Sequence, residues 1–81
     1  MKEYVVRDEF ARVVTVAPLR LAVRFLKHEC RDGEYSLEGP GADCTITRKN
    51  GVLYPSSGVL DGVQFDPRNR EDCQRFFEGV S

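Results

Sequence analysis

The sequence predicts an α+β fold, a single small antiparallel sheet of three to five strands with one amphipathic helix and a short C-terminal helix packed on one face. Three patterns point to it. The cations of residues 17–31 fall in one helical sector, Cys44 to Tyr54 reads as two β arms around Asn50 and Gly51, and Asp66 with Pro67 opens a helical spacing that ends in Phe76 and Phe77.

At the start of the chain, Tyr4, Val5 and Val6 and then Arg12 to Val16 are rich in β-branched and aromatic residues, with Asp8, Glu9, Phe10 and Ala11 between them. This composition predicts one or two short strands. Val13, Val14 and Val16 are more apolar than simple alternation requires, which suits a strand buried on both faces.

Residues 17–31 admit two readings. As a strand, Leu19, Leu21, Val23 and Phe25 alternate with Arg20, Ala22 and Arg24, but the period breaks at Leu26. As a helix, Arg20, Arg24, Lys27, His28 and Arg31 share a sector of about 100°, while Leu19, Ala22, Val23, Phe25, Leu26 and Cys30 fill the rest and only Glu29 is misplaced. The helix covers the whole segment, starts beside Pro18, carries cations in its last turn and has Gly33 to end it, so it is the reading adopted. Its start lacks a capping side chain, since neither Val16 nor Ala17 is one.

Beyond Gly33, residues 34–38 form a strand segment and Gly39, Pro40, Gly41 and Ala42 a break. Cys44 to Arg48 and Val52 to Tyr54 then flank Asn50-Gly51, a pair that tolerates the positive φ of a two-residue hairpin turn. Pro55, Ser56, Ser57 and Gly58 are expected to end the second arm, and Val59 to Phe65 adds a short strand or another turn at Asp61-Gly62. Asp66 is the expected cap of the last helix, with Pro67 at its first position, and Gly79 closes it. The expected core is Val5, Val14, Val16, Leu19, Ala22, Val23, Leu26, Ile46, Leu53, Val59, Phe65, Phe76 and Phe77.

With 81 residues, 41% hydrophobic and 31% charged, the chain is sized for one domain spanning 1–81 and leaves little volume for a water-excluded catalytic cavity. A formal net charge of -1 removes the bulk electrostatic case for nucleic acid or anionic membranes. Val13 to Leu19, the longest apolar stretch, is too short to cross a bilayer, and Glu3, Asp8 and Glu9 stand where a signal peptide needs basic and apolar residues. Three cysteines with no close pair do not make a disulfide framework. Together these features predict a cytoplasmic protein with no membrane partner.

The chemistry-bearing residues are few. Cys30, Cys44 and Cys73 with His28 lack metal-ligand spacing, and His28 and Cys30 lie about 200° apart on a helix, so no metal or cofactor is expected. One histidine on a polar stripe, no glycine-rich phosphate loop and no carboxylate pair in an apolar setting give no catalytic residues and argue against an enzyme. The most informative feature is the stripe itself, Arg20, Arg24, Lys27 and Arg31 with His28 beside it. Like charges at this spacing cost a helix roughly 0.2–0.5 kcal/mol per pair, so something must offset them. Internal pairing with Asp8, Glu9, Glu34, Glu38 or Asp43 is one answer, an acidic protein surface a second, and nucleic-acid phosphates a third.

For nucleic acid, the order helix, three strands, helix after residue 17 is similar to the double-stranded-RNA-binding domain, and Gly39-Pro40 fall near that family's Gly-Pro pair. The likeness implies phosphate contacts from the start of the last helix, where the family clusters lysines. Here Asp66, Arg68, Arg70, Glu71 and Asp72 interleave both signs instead. The expected function is therefore that of a small non-enzymatic binding protein, an inhibitor, adaptor or assembly factor. It acts on another protein through Arg20, Arg24, Lys27, His28 and Arg31 together with Tyr54 and Leu60 on an adjacent loop or sheet edge. Nucleic acid through the same stripe is the alternative, and a homodimer through a sheet edge is a further partner to test.

Overall fold

The computed structural model describes residues 2–66, 68 and 70–80. Eight elements follow one another: β1 (Tyr4–Asp8), β2 (Val13–Ala17), α1 (Leu19–His28), β3 (Gly33–Gly39), β4 (Ala42–Lys49), β5 (Val52–Leu60), β6 (Val63–Phe65) and α2 (Arg70–Val80). All the strands join one antiparallel sheet in the order β2-β1-β3-β4-β5-β6. The α+β class and the single antiparallel sheet are as the sequence predicts, but the sheet has six strands rather than three to five.

The extra strands come from two tight turns. At the first, the Asp8 carboxylate accepts from the N–H groups of Phe10 and Arg12, both at 2.9 Å, which reverses the chain and splits the first β segment into β1 and β2. At the second, Asp61 and Gly62 take φ of 49° and 80°, nearly the values of Asn50 and Gly51 at 55° and 78°. Both pairs adopt the left-handed conformation of a two-residue hairpin turn, so β6 folds back on β5 as β5 does on β4.

β5 runs nine residues and does not stop at Pro55. Proline is tolerated there because β6 pairs only with Gly58 to Leu60, leaving the first part of β5 without a second strand partner. Ser56 is the extra residue of a bulge, since Thr45 pairs with Ser57 and Ile46 with Pro55. After residue 17 the order is thus helix, four strands, helix, with two earlier strands in the same sheet, which departs from the double-stranded-RNA-binding order.

α1 is ten residues long, shorter than the 17–31 expected, and α2 at eleven is not the minor helix. No side chain caps the start of α1, where the Ala22 N–H donates to the Pro18 carbonyl at 2.9 Å. Its end is set from a distance. The Arg48 guanidinium, from β4, donates to the Lys27 carbonyl at 2.8 and 3.3 Å and to Asp32 at 2.6 Å, while the same Asp32 oxygen accepts from the Asn50 N–H at 3.0 Å. With that carbonyl taken, the chain leaves the helix five residues before Gly33.

Alternation places one set of side chains under the helices. Tyr4 and Val6, Tyr35 and Leu37, Cys44 and Ile46, Leu53, Leu60 and Phe65 join Ala22, Val23, Leu26 and Phe77 in one buried cluster. α1 lies against β1, β2 and β5, and α2 against β5 and β6. Of the expected core, Ala22, Val23, Leu26, Ile46, Leu53, Phe65 and Phe77 are buried, and Val14 and Leu19 pack partly against it. Val5, Val16 and Val59 are corrected to the open face, the last two at 49% and 42% exposure, because Val5 and its partner Val16 stand one step out of phase with the buried Val6. Pro67 and the side chains of Cys73 and Phe76 lie outside the described residues. Asp66 does accept from the Arg68 N–H at 2.8 Å, as an N-terminal cap would.

Candidate functional site

On α1 the structure separates residues that the sequence groups together. Arg20, Arg24 and His28 on the helix and Arg31 beyond its end are exposed, and none of them forms an ion pair among the described residues. Glu9 and Glu34 share a depression with Arg31 and Asp32 without forming an ion pair to Arg31 among the described residues, and two other acids are engaged elsewhere. Glu38 reaches Arg7 at 4.0 Å on the open sheet face, and Asp8 holds its own hairpin. Lys27 belongs elsewhere, since its ammonium donates to the Phe77 carbonyl at 3.3 Å and so joins α1 to α2.

The two residues expected on an adjacent loop also divide. Tyr54 is half-buried in β5 on the open face, beside a shallow depression of about 310 Å³ bounded by Thr47, Lys49 and Ser56. Leu60 is corrected to the core, at 0% exposure. The Asp61-Gly62 turn continues the sheet past it, and the alternation of β5 points its side chain under the helices, which removes it from any partner-facing surface.

A groove that the sequence reading did not single out lies between α1 and β2. It holds about 350 Å³ and is lined by Thr15 and Ala17 from the strand and by Leu21, Arg24, Phe25, His28 and Glu29 from the helix and its cap. Leu21 is 53% exposed there, and Val13 and Val16 are exposed on the neighbouring strand. At about 100° per residue, Leu21, Phe25 and His28 fall within about 60° of one another, so one apolar strip runs beside the arginines rather than into the core. The available signal was Leu21 itself, an apolar residue about 60° from Arg24 at the margin of the basic sector. β2 is an edge strand, bonded to β1 alone, so N–H and C=O groups turn outward beside this groove, with the alternation interrupted at Val14, the extra residue of a bulge that puts both Val13 and Val16 on the open face.

The thiols offer little chemistry. Burial, with the Asp43 charge adding to it, pushes the Cys44 thiol from its ordinary 9.0 up to about 12, which keeps it protonated and unreactive at neutral pH. Cys30 is half-buried and its pKa is also raised by burial, against a hydrogen bond with Tyr35 and the nearby Arg48 charge, which act to lower it. The Tyr35 hydroxyl donates to the Arg31 carbonyl at 2.7 Å, and its pKa is raised by burial and by Cys30. Among the described residues no group of three His, Cys, Asp or Glu side chains is placed to hold a metal, and no helix is long and apolar enough to cross a membrane.

No protein-family model, no curated protein and no solved structure matches this chain.

Proposed function

We propose that this chain is a non-catalytic binding module that engages another protein through the outward face of α1 and the adjoining edge of β2. One observation carries the reading. Arg20 and Arg24 are exposed on α1 with no carboxylate partner among the described residues, and Arg24 lines a groove where Leu21 is also exposed. Cations repeated at helical spacing cost the helix stability, so folding does not account for the two arginines, and the leucine beside them gives a partner an apolar contact. A partner surface with acidic and apolar groups satisfies both, and rim charges of this kind steer encounter and choose among partners.

The test is a paired capture experiment. The double variant Arg20→Glu with Arg24→Glu should keep its circular dichroism and shift unfolding by no more than about 0.5 kcal/mol, because both side chains are exposed. Cross-linking should recover a partner with the parent chain and lose it with the variant. If the variant unfolds, the stripe is structural and the reading fails; if capture is undiminished, the contact lies elsewhere. A gel shift with duplex DNA or RNA that collapses steeply with salt would assign the stripe to phosphates instead.

A further inference from the structure

We infer that the β2 edge takes up an extended acidic segment of the partner protein as a seventh strand, with that segment's helix-side residues lying in the groove between β2 and α1. The inference rests on the binding function proposed above and adds to it the form and chemistry of the ligand.

The backbone of β2 is the first support. Its sequence, Val-Val-Thr-Val-Ala, holds no proline, lysine or other charged residue, and the one edge-blunting device it carries is a bulge against β1, with Val14 as the extra residue, which leaves Thr15 to Ala17 in regular pairing. A strand added there hydrogen-bonds through outward N–H and C=O groups that β1 does not use, and its side chains alternate between the two faces of the sheet.

Charge and shape decide what alternates. On the helix side the added strand meets Leu21 and Phe25 with Arg24 and His28, all of which line the groove. Among the described residues, Glu29 is the one acid lining that groove. Carboxylates interspersed with apolar residues complement this wall. On the open side the added strand meets Val13 and Val16, both exposed, which favours β-branched residues at the intervening positions. A second copy of this chain fits less well. Two β2 strands paired about a two-fold axis would set both α1 helices on the same side of the joined sheet and bring the arginines of one copy toward those of the other.

The probe is a short fluorescent peptide alternating Glu and Val, titrated onto the full isotope-labelled chain alongside the same peptide with Lys in place of Glu. Two more peptides carry N-methyl groups on alternate amides, one in each register. The acidic peptide should bind, perturb and protect amides of residues 13–17, and lose about tenfold or more in affinity with Arg24→Glu. Only one N-methylated register should bind, because only one set of peptide amides faces β2. Strand addition is overturned if both registers bind alike, if the Lys peptide binds as well as the acidic one, if the acidic peptide does not bind up to about 1 mM, or if the free chain is already a dimer with its β2 amides protected. Should these results fail while partner capture still depends on Arg20 and Arg24, the binding function stands and strand addition alone falls.

Discussion

The two edges of the sheet are built differently. At the β6 edge the last strand has three residues, the part of β5 that β6 leaves unpaired carries Pro55, and α2 packs over both strands. Phe77 seals that end, its ring 5.3 Å from that of Phe65 and inclined at 55°. At the β2 edge the strand has five residues without charge or proline, and its flank is an open groove. A short strand, a proline and a covering helix are the means by which proteins prevent edge pairing, and this chain uses all of them at one end. The contrast shows that the fold can close an edge, so the openness of β2 is a property of that edge and not of a chain too small to cover itself.

The strongest way to break the comparison is to damage the closed end. Gly58 has φ of +109°, and a Cβ built on it would run into the Asp43 carbonyl oxygen and the Cys44 Cα, where β5 crosses β4 after the Ser56 bulge. Gly58→Ala therefore combines backbone strain with a steric clash and should cost about 3 kcal/mol or more, measured by urea unfolding. Ser57→Ala, at an exposed neighbour, should stay within about 0.5 kcal/mol. A mild effect of Gly58→Ala would mean that β4 and β5 approach less closely here and that the closed edge is held by α2 alone.

One link between α1 and the sheet is Arg48, which ties the end of the helix to the β4–β5 turn through Lys27 and Asp32. Its side chain is 14% exposed, so Arg48→Met leaves the Lys27 carbonyl without this donor in a poorly solvated place. The expected cost is about 2 kcal/mol. Faster amide exchange at Glu29 and Cys30, whose N–H groups both donate to Phe25, should accompany it. Asp32→Asn should cost less, and a double-mutant cycle between the two should show coupling. If Arg48→Met leaves exchange at Glu29 unchanged, helix propensity ends α1 and the clamp does not.

That clamp also shows which features were legible in the sequence and which were not. The Asn50-Gly51 turn was readable because its conformation depends on the two residues themselves. The register of α1 was readable too, since Ala22, Val23 and Leu26 all face the core. Its C-terminal end was not, because the group that sets it is supplied from β4, 21 residues away. Alternation in β2 and β5 separates neighbouring side chains but does not say which set meets the helices, so the sequence points Val16 and Val59 inward and Leu60 outward where the fold does the reverse. Of the candidate site, the arginines were visible as a stripe. The removal of Lys27 to α2 and the groove beside Leu21 required knowing which strand lies next to α1.

The smallest expected change acts on the open end and sharpens the comparison there. Ala11 sits in the β1–β2 turn at φ of 62°, a left-handed conformation that costs a residue bearing a Cβ about 1–2 kcal/mol. Glycine removes that cost but loses about 0.5–1 kcal/mol of its own on being ordered, so Ala11→Gly should stabilise the chain by about 0.5 kcal/mol, visible as a higher urea midpoint with an unchanged slope. The hydrogen bonds of this turn, from Ala11 N–H to the Asp8 carbonyl and from Asp8 N–H to the Arg12 carbonyl, hold β2 in register with β1. A firmer hairpin therefore presents a better-ordered edge and should tighten binding of the acidic peptide without touching the groove. If stability rises and affinity does not, β2 is already fully ordered in the free chain. If stability falls, Ala11 does not occupy the left-handed region, and the turn that sets the register of the open edge is of another type.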